Sequence, residues 1–229
     1  FSFLKENLFC KGELMHTFQA DEAKIEANLE DYAFMIKAAL SLYQNTGDLS
    51  YLSLGDELTQ KVITNFETPL NPFFTFTKDP VLFSEIISIH DDVIPSANSI
   101  MAENLWMLGH LLDKIKFSTM ADEMLSSVAN YFYDAKGSDY SQWAQLISKV
   151  AYSFKEVVVV GPDAQKINKE LQQNYLPNIL FQISEIPSEL PLLKDRYFHP
   201  ETLIYVCKNK VCLRPENTTF KALKQINEL

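Results

Sequence analysis

Asp91-Asp92-Val93-Ile94-Pro95-Ser96-Ala97-Asn98-Ser99 is the stretch around which the fold is organised. It stands directly before a long apolar segment, from about Ser96 to Asp113, that predicts a buried helix. Pro95 suits the first turn of a helix, because a backbone N–H has no partner there. The hydroxyl and amide groups of the stretch can cap the helix, and its two carboxylates favour the positive end. Two interpretations follow: a well-capped helix start, or one rim of a polar site.

The helices on either side of this stretch are of two kinds that alternate. Segments near 28–45 and 96–113 are apolar on nearly all faces, whereas segments near 49–66 and 118–134 carry one apolar stripe. Short connections such as Thr46-Gly47-Asp48 make neighbouring helices antiparallel. An inner ring of buried helices inside an outer ring of half-exposed ones would produce this alternation. The sequence therefore predicts a mainly α fold, an α/α toroid, whose inner helices all start at one rim.

The remaining part of the first 154 residues gives weaker patterns. Residues 1–9 predict the end of a helix, and residues 12–26 predict a connector followed by a polar loop. Residues 68–90 predict irregular chain with a short strand at 73–77, and residues 138–154 predict a further helix.

At Glu156 the sequence changes from helical apolar patterns to alternating strand and helix patterns. Four consecutive valines at 157–160 predict a buried strand, residues 163–175 a helix, and residues 179–183 a second strand parallel to the first. Segments 202–207 and 210–213 predict a hairpin, and 216–229 a closing helix. We therefore divide the chain into a toroid portion, residues 1–154, and a small C-terminal α/β subdomain, residues 155–229.

Composition narrows the class of partner and the compartment. The chain has 229 residues, a net charge of −10 and a pI near 4.9, which argues against nucleic acid and anionic membranes as partners. No apolar run is long enough to span a bilayer. Three cysteines favour a reducing compartment, so we expect a cytoplasmic protein. Because the chain begins Phe1-Ser2-Phe3-Leu4 without a Met, we expect a piece of a longer protein.

Three motifs carry a resemblance that covers essentially the whole chain. They are Leu29-Glu30-Asp31-Tyr32-Ala33, the 91–99 stretch, and Tyr205-Val206-Cys207-Lys208-Asn209-Lys210-Val211-Cys212-Leu213-Arg214-Pro215. In this order they resemble the YyaL family, whose animal members are called spermatogenesis-associated protein 20. The resemblance implies a thioredoxin-like domain followed by a six-hairpin glycosidase-like toroid, of which this chain would be the later half plus an α/β tail. It also implies a relationship to sugar-processing folds, including N-acylglucosamine 2-epimerase relatives.

The chain departs from the family pattern at three places. Where the family has Asp-Gly-Ala-x-Pro-Ser, this chain has Asp92 and Val93 in place of Gly and Ala. Where members carry Arg-x-Lys, it has Glu85-Ile86-Ile87, and the usual Gly-Gly is Asn71-Pro72. The loss of two cations beside the rim argues against an unchanged inherited activity.

Two functions from different classes remain open. Asp31 and Asp91 could be a general acid and base for carbohydrate chemistry, or two carboxylates that favour helix dipoles. In the first hypothesis the chain binds or modifies a carbohydrate-like ligand at the toroid rim, where Tyr32, Ser96, Asn98 and Ser99 would contact it, without a cofactor. The alternative is a non-catalytic interaction or scaffold domain that serves a thioredoxin-like domain of the same protein.

Cys207 and Cys212 lie opposite each other if the hairpin turns at Asn209-Lys210. They could form a disulfide, hold a metal with two further ligands, or remain two packed thiols, which we place first. No second Cys or His pair stands at metal spacing, so no metal site is predicted, and the pair is a redox candidate. Half a toroid would leave helix faces uncovered, and we therefore expect a homodimer.

Overall fold

The structure is a computed structural model that describes residues 1–78, 86–132, 137–152 and 154–229. Within these ranges the helices are α1 (Ser2–Asn7), α2 (Leu29–Thr46), α3 (Leu49–Phe66), α4 (Ala97–Leu112), α5 (Ile115–Ala129), α6 (Ser141–Ala151), α7 (Ala164–Leu171) and α8 (Thr219–Glu228). The strands are β1 (Phe9–Cys10), β2 (Glu13–Gln19), β3 (Glu22–Glu26), β4 (Lys155–Val160), β5 (Ile179–Ser184), β6 (Leu203–Lys208) and β7 (Val211–Cys212). None of the helices found in these ranges is long and apolar enough to cross a membrane.

Helices α2 and α3 confirm the predicted helical hairpin. The Asp31 carboxylate accepts a hydrogen bond of 2.8 Å from the backbone N–H of Asn28, which closes the first turn of α2. Gly47 ends α2 with a φ of +72°, and a Cβ there would lie 2.8 Å from Ile183. The Asp48 side chain then accepts from the N–H of Ser50 at 2.8 Å and caps α3.

Helix α4 is confirmed, with Ser96 as its N-cap. Pro95 precedes that cap and so lies outside the first turn of the helix, where the sequence had placed it. Helix α5 begins and ends earlier than the predicted segment 118–134, whose residues 133 and 134 lie outside the described ranges. A 3₁₀ turn at Gly137–Tyr140 precedes α6, so the predicted helix at 138–154 is shorter in the structure.

A three-stranded antiparallel sheet, in the order β1-β2-β3, occupies the region predicted as a connector and a polar loop. That prediction was wrong because the turn between β2 and β3 uses Ala20 and Asp21, both with positive φ, instead of the usual Asn-Gly or Asp-Gly. The strand predicted at 73–77 was also wrong, since those residues form no strand.

The prediction of a mainly α toroid is wrong: this is a mixed α/β protein with two sheets of three and four strands. Helix α2 is buried on most faces because α3, α4, strand β2, strand β5 and helix α7 all pack against it. The same alternation of buried and half-exposed helices therefore arises without an inner ring. Strands β2 and β5 complete the burial of α2, whereas α4 is covered by α2, α3, α5 and α6.

The second sheet has the order β5-β4-β6-β7 and confirms the predicted strands. Strand β4 pairs in parallel with β5 and antiparallel with β6, which forms the predicted hairpin with β7. Helices α7 and α8 cover one face of the sheet through Ala164, Leu171, Ala222 and Ile226. Leu192 and Leu193 cover part of the other face by packing on Val158 and Val160.

Amides of the second sheet and of α7 pair with the carbonyls at the ends of α2 and α4. Asn168 on α7 donates to the carbonyls of Gln44 and Asn45 at 3.0 and 3.2 Å. Gln182 on β5, fully buried, donates to the carbonyl of Leu111 at 3.1 Å. These contacts supply donors that helix C-termini otherwise lack. The division of the chain at residues 154 and 155 stays a prediction.

Candidate functional site

Asp91 is buried and makes hydrogen bonds with both of its carboxylate oxygens. One oxygen accepts from the backbone N–H of Ser96 at 2.8 Å and lies 2.9 Å from the Ser99 hydroxyl. The other accepts from the backbone N–H of Gln142 at 2.8 Å. The carboxylate thus joins its own loop to the first turns of α4 and α6. Three donors of its own chain take most of the acceptor sites of this buried carboxylate, which argues against an acid–base role.

Asn98 uses its whole side-chain amide to hold backbone. Its oxygen accepts from the N–H of Phe74 at 2.8 Å, and its nitrogen donates to the carbonyls of Phe74 and Ser88 at 3.0 and 2.9 Å. Ser96 caps α4 by accepting from the N–H of Ser99 at 3.2 Å. The structure therefore brings Asp91, Ser96, Asn98 and Ser99 together, and their polar atoms point into the protein.

Asp31 and Tyr32 lie in a different network, between α2 and strand β2. The Asp31 carboxylate lies 2.9 Å from Nδ1 of His16, and the Tyr32 hydroxyl donates to Glu13 at 3.3 Å. Burial raises the pKa of Tyr32. The hydrogen bond from Lys78 lowers the pKa of Glu13. Asp31 and Asp91 share no hydrogen-bond partner among the described residues, so the structure does not bring the two predicted carboxylates into one network.

Glu103 on α4 is the centre of a buried charge cluster that the sequence analysis missed. Its carboxylate, 3% exposed, accepts from the ammonium groups of Lys37 on α2 and Lys149 on α6, and from the Gln142 amide at 2.7 Å. Burial acts to raise the pKa of Glu103, but the two ammonium groups outweigh it and hold the pKa below its ordinary value. Since Gln142 also donates to Asp91, the two clusters are joined.

The signal for this cluster was present in the sequence. Glu103 is the one Asp, Glu, Lys or Arg within α4, a helix otherwise apolar on several faces. A carboxylate in such a place requires partners from neighbouring elements, because an unpaired buried charge is very costly. The sequence could therefore have predicted the pairing, although not that α2 and α6 would supply the lysines.

An open cleft of about 640 Å³ lies between the segment that follows α3 and the outer face of α5. Glu67, Asp122 and Glu123 contribute carboxylates, and no cationic side chain is among the described residues that line it. Phe73 and Met120 contribute apolar surface. Neither Asp31 nor Asp91 lines this cleft. Its chemistry suits a segment that carries both basic and apolar side chains.

Leu70 stands at the mouth of the cleft on a turn formed by Thr68–Asn71. Its side chain is fully exposed, with a relative accessibility of 106%, and its φ is +67°. Glycine is usual at such a turn position, because a side chain there is strained. The Asn71 side chain accepts from the N–H of Phe73 at 3.0 Å, which links the turn to the next residues of the cleft lining.

Cys207 and Cys212 occupy directly opposite positions on β6 and β7 and are joined in a disulfide. The structure thus has the disulfide, and the state that we placed first, two packed thiols, was wrong. The Arg196 guanidinium lies 3.1 Å from the Cys212 sulfur and 3.6 Å from the Cys207 sulfur. Cys10 is a free, exposed thiol. In the described part of the chain, no three His, Cys, Asp or Glu side chains are grouped so that they could hold a metal ion.

The departure at Glu85-Ile86-Ile87 is only partly visible, because Glu85 lies outside the described residues. Ile86 is half exposed, and Ile87 packs against the core of the helical region. The departures at Asp92 and Val93 are both exposed, with Val93 95% accessible.

Comparison with known proteins finds distant relatives of this chain. It is 26% identical over 216 residues to an uncharacterised protein of Caenorhabditis elegans, which covers 90% of this chain. It is 25% identical to spermatogenesis-associated protein 20 of Homo sapiens over 244 residues and of Mus musculus over 245 residues, in both cases across 93% of this chain. The chain spans about 30% of the length of these relatives. No protein-family model matches it.

Proposed function

We propose that this chain is a non-catalytic interaction domain that packs against another part of a longer protein. Its docking surface is the cleft between residues 67–74 and helix α5. The occupant is a segment from the rest of that protein that carries basic and apolar side chains.

The chemistry of the cleft carries this proposal. Three carboxylates, from Glu67, Asp122 and Glu123, face the same concave surface without a cation of the lining to neutralise them. Apolar surface from Phe73 and Met120 lies beside them. A binding partner with Lys or Arg next to an apolar side chain would satisfy both features at once.

The state of the predicted rim residues supports an interaction domain over an enzyme. Asp91 and Asn98 use their polar atoms to connect segments of their own chain. The residues of the same stretch that face solvent are Asp92, Val93 and Ile94, so a single carboxylate stands there beside two apolar side chains.

The length of the relatives supports an occupant from the same protein. About 70% of each relative lies outside the region that this chain matches, since the chain spans 29–30% of them. The resemblance described for the sequence implies a thioredoxin-like domain in that remaining part. We propose that part as the source of the docking segment.

Reversal of charge in the cleft tests the proposal. Asp122→Lys with Glu123→Lys should change the stability of the isolated chain by no more than about 0.5 kcal/mol, because both side chains are exposed. In the longer protein the same pair should lower the melting temperature and increase proteolytic cleavage, since it repels the docked basic segment. The control is Glu189→Lys, an 88% exposed carboxylate elsewhere, whose ion pair with Lys194 is lost equally in the isolated chain and in the longer protein. If the cleft pair behaves like the control in the longer protein, the docking proposal fails.

The carbohydrate hypothesis makes a different prediction. A saccharide that binds the native state raises the melting temperature, so a thermal-shift screen with mono- and oligosaccharides separates the two functions. We expect no saturable shift. A shift that disappears in Asp31→Asn as well as in Asp91→Asn would favour carbohydrate binding at those carboxylates.

A further inference from the structure

Arg196 is a half-buried cation whose described contacts are two sulfurs and an aromatic ring. Its guanidinium lies 3.1 Å from Sγ of Cys212, 3.6 Å from Sγ of Cys207 and 4.8 Å from the ring centre of Tyr205. No carboxylate forms an ion pair with it among the described residues. Tyr205 holds the guanidinium in place beside the sulfurs by a cation–π contact.

This arrangement suits a thiolate better than a disulfide. A disulfide sulfur is a weak, neutral hydrogen-bond acceptor, whereas a thiolate is an anion that a guanidinium stabilises strongly. A cation that pairs with no carboxylate and lies against two sulfurs therefore has its largest effect after the disulfide has opened.

The two sulfurs differ in access. Cys207 is fully buried between β4 and β7, while Cys212 is partly exposed on the short edge strand β7. An external thiol can therefore reach Cys212 without moving the sheet. Attack on Cys207 would require the hairpin to open.

We propose that Cys207–Cys212 is a thiol–disulfide exchange site, in which Cys212 reacts with the external group, Cys207 is the resolving residue and Arg196 is the positioning residue. The external reactant is a dithiol when the pair is oxidised and a disulfide when the pair is reduced. This inference is independent of the cleft and of the proposed docking function.

The reaction balances with a dithiol as the reductant. One thiolate of the dithiol attacks Sγ of Cys212, the Cys207–Cys212 bond breaks, and Cys207 leaves as a thiolate beside Arg196. The second thiolate of the dithiol then attacks its own sulfur in the mixed disulfide and releases Cys212 as a thiolate. Two electrons pass from the dithiol, which becomes a disulfide, to the pair, and the two protons lost by the dithiol end on the cysteines or in solvent.

The first test measures alkylation of the reduced chain by iodoacetamide from pH 5 to 10, with each cysteine quantified by peptide mass. Near pH 7 we expect Cys212 to react about tenfold faster than Cys10, because the fraction of Cys212 present as thiolate should be about tenfold larger. Cys10 serves as the exposed reference thiol within the same molecule. Equal pH profiles for Cys212 and Cys10 would overturn the role of Arg196.

Two variants of Arg196 separate charge from packing. Arg196→Gln should move the pH profile of Cys212 to that of Cys10, and Arg196→Lys should retain a large part of the difference, because it keeps the cation. Unchanged profiles in Arg196→Gln would contradict the proposal. If Arg196→Gln does not fold, the comparison of Cys212 with Cys10 in the native sequence decides the matter.

A second test assigns the attacking residue. Cys207→Ser, treated with oxidised glutathione in a Cys10→Ser background, should form a mixed disulfide at Cys212 at least tenfold faster than Cys212→Ser forms one at Cys207. Dithiothreitol should also reduce the pair in the folded chain. Equal rates for the two variants, or reduction only after denaturation, would overturn the assignment.

Discussion

Asp91 is a predicted catalytic residue whose carboxylate instead makes hydrogen bonds that connect parts of the fold. Its carboxylate meets two backbone N–H groups and a hydroxyl that come from the starts of two helices. An amide in its place has one oxygen, so one of these donors would face an NH₂ group instead of an acceptor.

We therefore expect Asp91→Asn to lower the free energy of unfolding by about 2–3 kcal/mol, the cost of leaving a buried donor without a partner. Denaturant unfolding followed by circular dichroism measures this change in the free energy of unfolding. Asp92→Asn is the matched control, since Asp92 is the exposed neighbour. Equal effects of the two substitutions would contradict a structural role for Asp91.

Glu103 gives the second prediction at this scale, and it depends on pH. Its pKa is lower in the folded chain than its ordinary value of 4.5, so its stabilising effect is present above pH 4.5 and is lost as the pH falls through the folded value. Glu103→Gln should destabilise the chain by about 3 kcal/mol near pH 7, because it leaves Lys37 and Lys149 without their carboxylate.

The melting temperature between pH 7 and 3 measures this effect. We expect the gap between Glu103→Gln and the native sequence to narrow as the solution becomes acidic. Glu123→Gln, an exposed residue on α5, is the control and should follow the native curve. A gap that stays constant with pH would show that the charge of Glu103 is not what stabilises the cluster.

At the scale of elements, the sequence predicts best where several local signals agree. Helix α2 has a capping pair, an apolar repeat and a glycine stop, and strand β4 has four buried valines. The β2–β3 hairpin has none of these: its turn residues are Ala20 and Asp21, and its strands are exposed or half exposed everywhere except at Leu14. Its strands pair with each other across a short turn, but neither carries the turn residues or the buried run that would reveal a strand in the sequence.

In the candidate site, too, the sequence predicts local features and misses contacts between distant parts of the chain. The sequence located the loop of Asp91 at the start of α4, because helix-capping chemistry is local. It could not assign what the carboxylates contact, because Gln142 and Lys149 come from a helix some 50 residues further along the chain and His16 comes from a strand that was not predicted.

The turn at Leu70 gives a prediction about one element. Leu70→Gly should stabilise the isolated chain by about 0.5–1 kcal/mol, because glycine adopts a positive φ without strain. Leu70→Ala is the matched control, since it removes the side chain but keeps the strained Cβ, and should give no gain. Thermal unfolding measures the stability of both variants. Equal stabilities would show that the turn carries no strain.

At the scale of the whole molecule, amide side chains make most of the hydrogen bonds between the helical region and the C-terminal α/β region. Asn168 of α7 and Gln182 of β5 donate to carbonyls at the ends of α2 and α4, so an α/β region packs where a toroid would have had further helical hairpins. The expectation of a homodimer followed from an incomplete ring. That reasoning no longer holds for a mixed α/β protein, and the docking proposal now rests on the acidic cleft.

The most direct test of the docking proposal is carboxyl footprinting with a carbodiimide and an amine, read by mass spectrometry, on the isolated chain and on the longer protein. If a basic segment occupies the cleft, Glu67, Asp122 and Glu123 should be labelled several-fold less in the longer protein, because ion pairing and burial shield them. Glu189 should be labelled equally in both. Equal labelling of all four carboxylates would contradict the account, since it would show that the cleft stays open to solvent.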